Sequence, residues 1–221
     1  MSIRRSLTSL GLVLVAAACA ENLSAPATVE QTPHFLRLES TTQPSYSSLG
    51  AASERLVPFT GSAASLNDLA LTSYQVSFWA VRGQSRSIQI NYMGDGGTHP
   101  FLKLTTTDPK YVPGRGWLAQ GDSVLVTATV DPNVIAVDFQ PSGLRFGTPA
   151  EVTIWYGGAV GDLNGDGVVD GADAVIENQL LGMWYQADPS SPWSPIPATH
   201  SVSTKSFTAA LEHFSGYSVA W

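Results

Sequence analysis

The chain has 221 residues, 43% of them hydrophobic and 13% charged, with 20 Gly and 14 Pro. That is enough apolar material for a core and too little charge for a coiled coil or a charge-solvated disordered chain. A formal charge of −7 gives no basic footprint for nucleic acid, and none is expected as a partner.

Residues 1–18 predict an export signal. Arg4 and Arg5 form a positive start, residues 7–15 are mostly apolar, and Ala16-Ala17-Ala18 precede Cys19. The apolar stretch is too short to span a bilayer. Cys19 is the only cysteine, which excludes an intrachain disulfide and a CxxC metal knuckle. Small residues directly before this Cys resemble the bacterial lipobox, with Ala16 where Leu is usual. The resemblance implies cleavage before Cys19, its lipidation, and a membrane tether on a bacterial cell-envelope protein. With Ala20 rather than Asp next in line, an outer-membrane lipoprotein is expected. The other processing is an ordinary cut near Ala18 or Ala20, which leaves an exported protein with a free thiol. Residues 19–50 then read as anchor and flexible spacer, rich in Ser, Thr, Ala and Pro.

Residues 51–221 read as the folded domain. A short strand is expected at 55–59. Residues 74–82 and 87–92 alternate about Gly83-Gln84 and predict a hairpin, with Ile88, Ile90 and Tyr92 inward and Gln89 and Asn91 outward. Further strands are expected at 101–106, 123–130, 134–139, 150–156, 200–204, 206–211 and 214–221. Val124, Val126, Ala128 and Val130 share one face of their strand, and Asp131-Pro132-Asn133 is a turn. Short strands at regular spacing between Gly and Pro turns predict a mainly-β fold, an antiparallel Ig-like β-sandwich. Phe78, Trp79, Trp155, Trp184, Trp193 and Trp221 are expected as core and corner residues, with Trp155 buried.

Residues 160–182 break the strand pattern. Counting Asp162 as position one, side-chain oxygens fall at one, three, five, nine and twelve (Asp162, Asn164, Asp166, Asp170 and Asp173), with Gly167 at six. A hard cation takes six to eight oxygens, and a Gly turn lets one short segment supply them. Val168 at seven would add its backbone carbonyl, and Val169 at eight is expected to pack inward. Ca2+ is therefore the expected ligand of an inserted loop. A helix over 174–181 is expected to follow, with Val175, Ile176, Leu180 and Leu181 on its buried face and Gly182 as its C-cap. The loop resembles the dockerin type of EF-hand, which also has Asp at position twelve. Dockerins carry two repeats and often show Ser or Thr where this chain has Gly171-Ala172. The resemblance therefore implies calcium binding and gives little basis for a cohesin partner.

The flanking segments PSGLRF, PAEVTIWY and FTAALEHFSGYSVAW resemble the sandwich shared by ankyrins and netrin receptors. They also resemble bacterial secreted proteins that end in a His-Phe-Ser-x-Tyr strand. Some members of that superfamily cleave themselves between Phe and Ser, which would map to Phe214-Ser215, with Ser215 as nucleophile and His213 assisting proton transfer. The plainer reading makes His213 a strand end and Phe214 and Tyr217 core anchors. No HExxH, GxSxG or P-loop is present. The Gly94–His99 stretch reads as a loop tip. The expected function is a non-enzymatic calcium-binding envelope lipoprotein, a monomer used for binding a protein or glycan or for structure. The alternatives are a docking component of a polysaccharide-degrading assembly and a self-cleaving sandwich.

Overall fold

The computed structural model describes residues 32–38, 45–47 (backbone only), 74–92, 99–159 and 161–221. The export signal, Cys19, most of the spacer, the strand expected at 55–59 and residues 93–98 of the expected loop tip lie outside these residues.

Among the described residues, fourteen strands run in chain order. They are β1 Ser45–Ser47, β2 Gln75–Val81, β3 Arg86–Asn91, β4 Pro100–Thr106, β5 Pro109–Val112, β6 Gly116–Trp117 and β7 Ser123–Val130. After them come β8 Ala136–Gln140, β9 Arg145–Trp155, β10 Gly182–Gln186, β11 Ser194–Ile196, β12 Thr199–Ser201, β13 Ser206–His213 and β14 Gly216–Ala220. One sheet has the order β1-β3-β4-β9-β13-β12, with β5 on β9 and β6 on β5. The other has the order β11-β10-β14-β8-β7-β2. Every pairing between these strands is antiparallel. The fold is mainly β and forms an antiparallel sandwich.

Alternation builds the core. Ile88, Ile90, Leu102, Leu104, Val152 and Ile154 of one sheet are buried, as are Val126, Ala128, Phe139, Tyr217 and Val219 of the other. They belong to one hydrophobic cluster, as strands with one apolar face require. Residues 32–38 run beside the end of this core. His34 N donates to Trp221 O at 2.8 Å, Ile135 N to Leu36 O at 2.9 Å and Leu38 N to Asn133 O at 2.8 Å.

Three expectations need correction. The hairpin of residues 74–92 is an arch: β2 pairs with β7 in one sheet and β3 with β4 in the other. Arg82 N donates to Asp122 O and Gly83 N to Thr107 O, so adjacent turn residues bond to different loops instead of closing a two-strand ladder. Alternation requires each strand to bury one face, and two facing sheets meet that demand as well as one hairpin does. Asn91 is buried, not exposed. The pairing of β3 with β4 slips at Ile90/Asn91, which breaks the alternation there, and Gln89 is only half-buried. Trp79 is 56% exposed and Trp155 half-buried. Both stand on the outward phase of strands whose inward phase holds Phe78 and Ile154.

Candidate metal centre

The 157–181 segment joins β9 of one sheet to β10 of the other. It opens with a 3-10 turn at Gly157–Ala159. Gly158 packs against Tyr92, and a Cβ there would stand 2.5 Å from the Tyr92 ring. The Tyr92 hydroxyl donates to Trp155 O at 2.8 Å, and burial pushes its pKa up. The loop proper is pinned by Leu163, which is buried, and by the indole of Trp221, whose Nε1 donates to Leu163 O at 3.2 Å.

From Asp162 to Asp173 the loop is organised by its own carboxylates. Asp162 accepts from Gly165 N at 2.8 Å, Asp166 N at 3.2 Å and Gly167 N at 2.8 Å. Asn164 Oδ1 accepts from Asp166 N at 2.9 Å, and Asp166 Oδ1 from Val168 N at 2.8 Å. Gly167 has φ +88°, the left-handed backbone that glycine adopts without steric cost. The turn expected at position six is therefore present.

Asp170 and Asp173 carry a role that the ion reading passed over. Asp170 is the N-cap of helix α1, Gly171–Val175, and accepts from Ala172 N at 2.7 Å. Asp173 returns the bond, accepting from Asp170 N at 2.8 Å, which completes a capping box. Asp173 is buried and also accepts from Leu163 N at 2.7 Å and Asn164 N at 3.3 Å. These N–H donors, Asp170's first, hold its carboxyl below the ordinary Asp range. The signal was legible as Asp-x-x-Asp ahead of an apolar run.

The donor set is chemically suited to Ca2+, being all oxygen and mostly anionic. Among the described residues, however, no three His, Cys, Asp or Glu side chains stand close enough together to chelate an ion as placed. Holding an ion would require these oxygens to converge on a common centre. Val168 and Val169 are 57% and 66% exposed, so Val169 does not pack inward.

The helix also differs from expectation. α1 gives way to a π-helical turn at Ile176–Leu180, where Leu181 N donates to Ile176 O at 3.0 Å. Only Ile176 of the four expected apolar residues is fully buried, with Leu181 partly so. Val175 and Leu180 are about half exposed. Gly182 begins β10 opposite Ala220 and does not cap the helix. The wider turn presents Glu177 to the sandwich. Glu177 accepts from the Tyr156 hydroxyl at 3.1 Å and pairs with Lys205 at 3.3 Å. The Tyr156 hydroxyl also lies 2.8 Å from His200 Nε2. Burial first, then the Glu177 charge, raises the Tyr156 pKa, and burial lowers that of His200.

His213 and Ser215 are not brought together. Ser215 is buried, and its hydroxyl donates to Ala187 O at 2.8 Å and to Gln186 O. The His213 ring meets Tyr185 edge-on at 5.1 Å. Phe214 carbonyl accepts from Gly143 N at 2.8 Å, and neither Phe214 nor Ser215 has a positive φ.

No protein-family model matches the chain, and no curated protein matches it.

Proposed function

We propose that this chain is a non-enzymatic calcium-binding module of the bacterial cell envelope: a β-sandwich lipidated at Cys19 and held on a spacer, used for binding or for structure. The calcium loop is read as dockerin-like in its ligand pattern. The observation that carries the reading is one twelve-residue loop with oxygen side chains at Asp162, Asn164, Asp166, Asp170 and Asp173 and a left-handed Gly167 at its turn. Val168 would add a backbone carbonyl. Bound there, Ca2+ supplies charge neutralisation to four carboxylates and fixes the shape of the loop.

The deciding measurement is thermal unfolding with and without calcium. Asp at position twelve suggests an affinity in the extracellular range, about 10⁻⁴ to 10⁻³ M. At free calcium a hundred times Kd, linkage adds about 2.7 kcal/mol. Millimolar calcium should raise Tm, magnesium should raise it less, and Asp162→Ala should abolish the response. A wild-type Tm indifferent to calcium leaves only an acidic, self-capped turn. The anchor is tested by Cys19→Ser, which should move the protein from the membrane to the soluble fraction.

A further inference from the structure

We propose that the outer face of the β9-β5-β6 end of the sandwich binds an anionic, uronate-containing polysaccharide. The inference deepens the reading of the domain as a binding module and rests on it, but not on calcium. Tyr111 is the Cα partner of both Trp117 and Arg145, and Arg145 is the partner of His213. Directly opposed residues of antiparallel strands point to the same face. Arg145, Tyr111 and Trp117 therefore form one row across three strands, about 10 Å at two interstrand spacings; beyond the register shift between Leu211 and His213, the His213 ring turns instead to Tyr185 of the other sheet. Arg145 is flanked by buried Leu144 and Phe146, which places the row on the outer face. The pairing of β5 with β9 slips between Pro109 and Tyr111, and the extra residue, Lys110, joins the row with Nζ 5.8 Å from the Trp117 ring centre.

The row alternates aromatic rings and cations. Tyr111 and Trp117 meet edge-on at 5.3 Å, and Arg145 lies 5.9 Å from the Tyr111 ring centre. Trp117 is 71% exposed. Among the described residues Lys110, Arg145 and the neighbouring Arg115 make no ion pair; the pairs present are Arg82–Asp108 and Lys205–Glu177. Unpaired cations on a chain of charge −7 mark this face as complementary to an anion. A uronate polymer offers C–H faces that stack on the negative faces of aromatic rings and carboxylates that pair with guanidinium and ammonium groups. A bilayer would require apolar side chains at the protruding turn, which here is Pro113-Gly114-Arg115. Nucleic acid would require a longer basic stripe.

The test titrates the full chain, in EDTA, with hyaluronate and polygalacturonate by calorimetry. Neutral dextran and phosphatidylglycerol vesicles serve as comparisons. Both uronate polymers should bind, dextran should not, and added salt should weaken binding. Trp117→Ala and Arg145→Gln should each weaken it about tenfold, with Tm unchanged because both side chains are exposed. Absence of uronate binding, or binding indifferent to both substitutions, overturns the proposal. So does equal binding of dextran, or tighter binding of vesicles than of either polymer. Such a failure beside an intact calcium response overturns the glycan surface and leaves the calcium module standing.

Discussion

Val126 and Leu125 stand next to each other on β7 and face opposite ways. Val126 is fully buried opposite Phe78, while Leu125 is 46% exposed opposite Trp79. An Asp at 126 places an unpaired charge in the core and should cost about 4 kcal/mol or more. The same change at 125 should stay within about 0.5 kcal/mol. Urea unfolding of both variants reads the register of this strand, and equal losses would mean the register is wrong. The inward phase at Val126 was legible from residues 123–130 because every second residue there is apolar. The burial of Asn91 was not, because a register slip leaves no mark in the alternation of one strand.

The 162–181 element is held by its own capping box, the proposed ion would add to it, and substitutions at Asp170 separate the two. Asp170→Ala removes the cap and should cost about 1 kcal/mol in EDTA. Asp170→Ser keeps an oxygen that accepts from the helix N-terminus but removes the carboxylate charge. It should match wild type in EDTA and show a smaller calcium-dependent rise in Tm. If Asp170→Ser and wild type respond equally to calcium, the Asp170 carboxylate is a cap alone. The spacing of the oxygen side chains was readable in the chain because a loop of this kind supplies its donors from consecutive residues. The π-helical turn was not readable. It accompanies the contacts of Glu177 with Tyr156 and Lys205, partners 21 and 28 residues away that no local pattern marks.

The domain as a whole closes with residues 32–38. This segment bonds to Trp221, Ile135 and Asn133 and contributes Leu36 and Leu38, 1% and 8% exposed, to the core. A chain begun at residue 39 should therefore be less stable than one begun at residue 31 by about 3 kcal/mol, the burial of two leucines. Equal urea midpoints would show that the segment lies on a finished sandwich. This region read as spacer because its composition is polar and Pro-rich, and its two inward leucines have too few neighbours to show a period.

Local information decides what depends on near neighbours in the chain. Apolar alternation marked out most of the strands and hence the mainly-β class, and the Asp-x-Asn-x-Asp-Gly spacing marked out the loop. Pairing depends on residues far apart, and only the tertiary structure decided it. It sent β2 and β3 to opposite sheets. It also aligned Trp117, Tyr111 and Arg145 across three strands. Those three residues span 35 positions from Tyr111 to Arg145, and no periodicity within one strand could have placed them in a single row.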